Sequence, residues 1–497
     1  MGIIQRQSIK GSIYSYIGAF LGFVNLAILA PKIFTTDQIG LTQVLVSVAT
    51  IFAQLGTLGF NSVTSRLFPY FRSKEEQHHG FLRIQSLVGA VGFLVVLLLY
   101  FLLRGYLIEK NVEKSALFTQ YIDLLIPLIL FLLAHTLMDS YNRILYNATL
   151  GTFLREVVVR IGNFGLIMLF WQEVITFQTY VYLFVATLGV PPALITVYLY
   201  LTGQLSLKSH RGYVNRDLRK QMIDVAIFGI IAGMSGIALV NIDKYMVTQL
   251  LGLSNTGIYA IAFYFGTLVL LPSRALTKIS VTLLAQAWKD DEKNQIDSIY
   301  KKSCLNQFIV GGLLFILLVG NLENIFQILP GEYADGRWTI IFIGFANVLN
   351  MMSGVSMHVI GTSALYRYQN YWMILFILLV VITNLLFIPP LGITGAALAS
   401  LISTSLFTFV KFIFLKWKFG FQPYSYAFLL IALISTGSLA ISFLIPSLSF
   451  WPDLIIRSGV IALLFSITIY LSGVSQEVNS IADVVFRYFG IGRKRKN

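Results

Sequence analysis

The chain has 497 residues, 57% hydrophobic and 12% charged, with a mean hydropathy of +0.77 and a formal net charge of +14. Soluble chains carry roughly 25% charged residues, so the composition excludes a water-soluble globular fold and makes lipid the main solvent. The single cysteine, Cys304, excludes an intramolecular disulfide and a cysteine-rich metal site; the five histidines show no metal-binding spacing, and no metal or cofactor is expected.

A hydrocarbon core about 30 Å thick needs roughly 20 apolar residues per helix. Apolar windows of that length recur about fourteen times and predict an all-α polytopic membrane protein. In chain order they cover 9–31, 38–65, 81–103, 119–140, 146–171 and 178–202, then 223–247, 256–284, 300–322, 335–361, 367–388 and 392–415, and finally 425–445 and 453–473. The expected organisation is an N-lobe of six spans (1–202), a basic linker (203–222), a C-lobe of six spans (223–418), a trailing helix pair (419–474) and a basic tail (475–497). A weak internal similarity fits two lobes. Ala30-Pro31-Lys32 precedes Gln38-Ile39-Gly40-Leu41, and Asp243-Lys244-Tyr245 precedes Asn255-Thr256-Gly257-Ile258-Tyr259 at the corresponding place.

Fourteen spans put both termini on one side. Roughly 26 Lys and Arg residues fall on that side and about 7 on the other, which makes it the cytoplasmic side by the positive-inside rule. The terminal-side set includes Arg6, Arg72, Lys74, Arg143, Arg155, Arg211, Lys289, Lys302, Lys411, Lys416 and Lys418, and it ends with Arg487, Arg493, Lys494, Arg495 and Lys496. The positive charge is therefore a matter of membrane orientation, and nucleic acid is not an expected partner. The tail 481–497 has the pattern of a segment lying on an anionic inner leaflet. The first span follows a short basic leader with no small-residue cleavage site, and reads as a retained helix.

Ionisable groups within spans cost roughly 2.5 to 3.5 kcal/mol each at a helix centre, so those present face a cavity or a partner. Asn25 in the first span and Gln54 in the second read as lumen-lining groups or as helix-to-helix hydrogen bonders. His135, Asp139 and Arg143 follow one another at i,i+4, as a proton relay or a satisfied polar ladder. Arg155, Glu156 and Arg160 stand in the fifth span, with Glu156 and Arg160 spaced for an ion pair and Asn163 continuing the Arg160 face. Asp243 and Lys244 are placed near the outer end of the seventh span, as a gate or a helix-end cap. Arg274 and Lys278 share one face of the eighth span just after Pro272, as lumen cations or as side chains snorkelling to the cytoplasmic surface. His358 reads as a structural histidine. The glycines of Gly392-Ile393-Thr394-Gly395-Ala396-Ala397 allow close helix approach.

The two six-span lobes, the trailing pair, the basic linker, Asn241-Ile242-Asp243-Lys244, Thr256-Gly257-Ile258-Tyr259 and Gly392-Ile393-Thr394-Gly395-Ala396-Ala397 together resemble the polysaccharide-transporter branch of the multidrug/oligosaccharidyl-lipid/polysaccharide (MOP, MATE-like) exporters, the Wzx-type O-antigen and capsule flippases. The resemblance implies a bacterial inner-membrane protein, with both termini cytoplasmic, that turns a polyprenyl-pyrophosphate-linked oligosaccharide to the periplasmic leaflet through a V-shaped cavity open alternately to each side. It also implies membrane lipids and glycan-assembly enzymes as partners, and a transporter in place of an enzyme.

The residues agree with that task. A pyrophosphate needs cations, and sugars need hydrogen bonds and aromatic faces, for which 25 Tyr and 6 Trp are at hand. Arg274, Lys278, Arg155, Arg160 and Asn25 are the expected substrate-binding residues; Asp243, Lys244, Asp139 and Arg143 are the expected gating or coupling residues. Two other functions compete. A MATE-type ion-coupled multidrug exporter needs an acid in the first span, and residues 9–31 contain none. A membrane glycan polymerase needs a large outer loop, and the longest here is about 15 residues; a scaffold for glycan-assembly enzymes is the remaining reading.

Overall fold

A computed structural model of the chain describes residues 3–73, 75–111, 115–208, 212–365, 367–480 and 483. Lys74, Arg211, Arg487, Arg493, Lys494, Arg495 and Lys496 lie outside the described residues, as does the side chain of Arg6. The elements among the described residues are helical, and they occupy every apolar interval of the sequence. We label them α1 (3–33), α2 (Thr36–Gly56, extended by Phe60–Phe71), α3 (Phe81–Asn111), α4 (116–144), α5 (148–171), α6 (Phe177–Leu201) and α7 (Arg216–Leu251). There follow α8 (253–289, interrupted at 271–272), α9 (Lys293–Gly320), α10 (337–362, broken at 353–355), α11 (367–391), α12 (392–419), α13 (Tyr426–Ser442) and α14 (Phe450–Ser472). Among the described residues nine helices are long and apolar enough to cross a bilayer unbroken, and ten if the bent α10 counts as one span.

Local chemistry sets the ends. Thr35 opens α2 with a reciprocal capping box, its hydroxyl accepting from Gln38 N at 3.3 Å and its own N–H donating to Gln38 Oε1 at 3.1 Å. Asn215 caps α7 by accepting from Leu218 N at 2.8 Å, and Gly252, with φ +90°, ends it. The helix running Arg367–Phe419 turns at Gly392 (φ 59°, ψ −140°), which divides it into α11 and α12 where the sequence places the boundary. Gly395 sits against the carbonyl of Phe387 with no room for a side chain, the close approach expected of that glycine motif.

The chain forms two compact units, Met1–Ile261 and Ala262–Asn497. The first ends beyond the basic linker because α7 packs along α2 and its extension: a side chain at Gly59 or Gly233 would run into Ala226 or Gln54. Gln54 is packed against α7 there, and its Nε2 donates to the Thr57 hydroxyl of its own segment at 3.5 Å. An aromatic cluster around Phe68, Phe71, Phe81 and Tyr141 fills the core at that end of the first unit.

Candidate functional site

Two helices in the first unit widen into π-helical turns, Phe23–Leu29 in α1 and Leu154–Val158 in α5. Such turns leave the regular ladder one residue out of step and commonly mark functional positions. The two helices pack together, the α5 turn against Ile3–Gly22 and the α1 turn against Val159–Trp171, and the buried Asn25 donates from Nδ2 to the carbonyl of Arg160 at 2.7 Å. Arg160 closes the ion pair that its spacing predicts, Nη2 to Glu156 Oε2 at 2.7 Å, and also donates to the carbonyl of Gly18. Gly18 is required there: a Cβ would come within 2.7 Å of Glu156 Cβ and 2.8 Å of its carbonyl oxygen. Arg155 sits inside the π turn of α5 and is exposed. Asn25 Oδ1 is buried with no hydrogen-bond partner.

Next to this junction is a cavity of ≈ 50 Å³ lined by Asn25, Gln38, Thr42, Gln43, Asn163 and Tyr180 among others. Asn163 Oδ1 accepts from the Tyr180 hydroxyl at 3.1 Å. From α7, Lys244 Nζ donates to Gln43 Oε1 at 3.0 Å, so a cation reaches the cavity wall. Its neighbour Asp243, 2% exposed, accepts from the Tyr259 hydroxyl of α8 at 3.1 Å. These two residues stand about two turns before the end of α7 at Leu251. The helix-end cap considered for them is therefore replaced by an interior position, because α7 runs past the apolar window that located them.

In α4 the ladder His135, Asp139, Arg143 is present. Asp139 Oδ2 accepts from Arg143 Nη2, and Gly151 of α5 lies so close to the Asp139 carboxylate that no larger residue fits. His135 is buried, its Nδ1 has no partner, and it feels the charges of Arg155, Asp139 and Arg143. Asn25, Arg155, Arg160, Asp139, Arg143, Asp243 and Lys244 are thus all in the first unit. Arg274 and Lys278 begin the second half of α8, after Pro272, and their side chains lie outside the described residues.

Two groups escaped sequence reasoning. Lys411, counted among the terminal-side charges near the end of the twelfth span, is 3% exposed inside α12 and donates to Ser353 Oγ at 3.1 Å. A cation two turns from a helix end looks like a surface charge to hydropathy; only its neighbours on α10 reveal otherwise. Arg457 pairs with Asp453 at 2.7 Å in α14, both buried, and the i,i+4 spacing was the available signal.

No known family profile matches the sequence, and no curated protein matches it either. Solved structures do match. The lipid II flippase MurJ in an inward closed conformation has a TM-score of 0.73 at 14% identity, over 97% of this chain and 99% of that one. An inward-facing multidrug resistance MATE family transporter of the MOP superfamily gives 0.60 at 14% identity, over 84% of this chain and 98% of that one. An outward-facing transporter of the same description gives 0.57 at 12%, over 83% and 95%. At such identities the likeness is one of fold: this is a multi-span, all-helical membrane protein with the architecture of the MOP transporters.

Proposed function

We propose that this protein is a flippase that carries a polyprenyl-pyrophosphate-linked oligosaccharide from the cytoplasmic to the periplasmic leaflet of a bacterial inner membrane, for O-antigen, capsule or exopolysaccharide assembly. The observation that carries the reading is the extent of the fold match: 97% of the chain aligns with a flippase of a lipid-linked substrate, against 83–84% with the multidrug transporters. The absence of any acid in α1 weighs the same way, since a cation-drug exporter needs one there.

The physical logic is a shared one. A glycan crossing bare hydrocarbon loses water from its hydroxyls at several kcal/mol in total, while its prenyl tail loses nothing by staying in lipid. A polar passage with cations for the pyrophosphate removes that cost, and alternating access keeps the passage from leaking. In this reading the functional repeat is six spans and six spans about the linker 203–222, with both termini cytoplasmic. Arg274, Lys278, Arg155, Arg160 and Asn25 bind substrate; Asp243, Lys244, Asp139 and Arg143 gate or couple. Glycan-assembly enzymes are the partners this role calls for.

The test is genetic and chemical. Deleting the gene is expected to accumulate one lipid-linked oligosaccharide on the inner leaflet, and the wild-type gene to restore its export. Unchanged export of every lipid-linked glycan, with loss of drug efflux instead, would transfer the protein to the multidrug class. Replacing Arg274 and Lys278 together by Gln is expected to abolish export at normal protein levels.

A further inference from the structure

Lys411 in the second unit is a buried cation that the transport residues above do not use. Besides its hydrogen bond to Ser353 Oγ, its Nζ stands 4.8 Å from the centroid of the Phe407 ring. Among the described residues no carboxylate forms an ion pair with it. Taking an ammonium out of water without a counter-ion is costly even after the protein relaxes.

The lysine faces a polar cavity of ≈ 180 Å³ whose wall includes Gln307 of α9, Ser356 and His358 of α10, and Lys411 of α12. Gln307 and Ser356 are 2% and 1% exposed, and Gln307 Nε2 and Ser356 Oγ have no hydrogen-bond partner. A buried donor left unmet is itself destabilising. The cavity exists because α10 is broken and bent by 45° at this level. Gly354 holds the break at φ +55°, packed so tightly that a Cβ would lie 2.8 Å from Cys304 N and Sγ. Irregular backbone at membrane depth is tolerated where it is enclosed by protein or lines a cavity.

The C-terminal end of the first half of α10 favours a nearby cation, but it carries only about half an elementary charge and offsets that of Lys411 in part. It does not account for the Gln307 amide or the Ser356 hydroxyl. Water can meet the hydroxyl but leaves the charge unbalanced. One anion with several acceptor oxygens answers all three groups, and the volume exceeds the roughly 10–15 Å³ per water position by enough to hold it.

We propose that this cavity is a binding site for a single phosphate-type oxyanion, held by Lys411 Nζ, Gln307 Nε2 and Ser356 Oγ. The inference is independent of the transport reading, because it rests on groups of the second unit alone. It applies equally to inorganic phosphate and to the phosphate of a lipid headgroup.

The experiment measures the thermal unfolding midpoint of the full-length protein in nanodiscs, at constant ionic strength, against inorganic phosphate, chloride, and polyprenyl phosphate in the bilayer. Phosphate is expected to raise the midpoint saturably by about 2–5 °C, and chloride to leave it flat. The rise should vanish in Lys411→Gln and also in Ser356→Ala and Gln307→Leu, which keep the fold intact if the lysine variant does not. Protection by the lipid that is lost in the same variants assigns the oxyanion to the lipid; protection by inorganic phosphate alone assigns it to the free ion. No shift with either phosphate source, an equal shift with chloride, or a shift that survives in Ser356→Ala and Gln307→Leu overturns the proposal.

Discussion

Gly40 and Gly257 stand in a reciprocal relationship: a side chain on Gly40 would strike the carbonyl of Leu253, four residues before Gly257, and one on Gly257 would strike the carbonyl of Thr36, four residues before Gly40. The two short segments that the sequence sets in corresponding places are thus packed backbone to backbone. Substitution of Gly257 by Val is expected to cost at least about 3 kcal/mol, since the obstacle is a carbonyl that cannot rotate away. Folded yield and melting temperature check this, with Gly437→Ala, where nothing lies within 4 Å, as the neutral control.

Beside those glycines the Thr36 and Ser254 hydroxyls are 2.7 Å apart. In a Thr36→Cys, Ser254→Cys variant, oxidation should join the two segments, because the side chains already meet. Cys304 is buried and remains a bystander. If transport requires this contact to open, export stops on oxidation and returns with reductant; undiminished export by the cross-linked protein would argue against alternating access.

At the π-helical junction, Arg160→Gln leaves Glu156 half-buried without its cation and should cost about 1–3 kcal/mol. The double variant Glu156→Gln, Arg160→Gln removes both charges and should regain most of that stability. Export is expected to stay low in both, which separates a substrate role for the arginine from a structural one. Melting temperature and glycan export are the two readouts.

The Asp453–Arg457 pair is further satisfied on every side. Asn324 Nδ2 donates to Asp453 Oδ2 at 2.6 Å, and Arg457 Nη1 donates to the Ser442 carbonyl at 2.6 Å. Asp453→Asn leaves a buried guanidinium uncompensated and should destabilise by about 3–5 kcal/mol. A midpoint within a degree of wild type would contradict this.

Glu477, outside the spans, lies 2.7 Å from Lys302, whose hydrogen bond holds its carboxyl below the ordinary value of 4.5. A depressed carboxyl contributes stability above its unfolded value and loses it as pH falls through the folded one. Because the pair is largely exposed the effect is small, under about 1 kcal/mol. Glu477→Gln is expected to match wild type in acid below that window and to fall slightly below it near neutrality.

Much of the fold was legible because the signals are local. Gly392 marks a span boundary by its own local conformation, and the Glu156–Arg160 and Asp139–Arg143 pairs follow from one-turn spacing. The site was legible in its residue types but not in its grouping. Lys411 was counted only as a terminal-side charge near the end of its span, Asp243 and Lys244 were placed near a helix end, and nothing in the sequence joined Gln307 to Ser356.

The helical character of the chain and the placing of its apolar segments were determined by the sequence alone, because a bilayer of set thickness demands about 20 apolar residues per helix and unpaired backbone cannot be left facing lipid. Which face each helix turns inward was decided only by tertiary structure. Rotation about a helix axis changes no hydropathy average, yet it determines whether Lys411 meets water or the broken turn of α10, and whether Gly40 meets lipid or the backbone of Leu253.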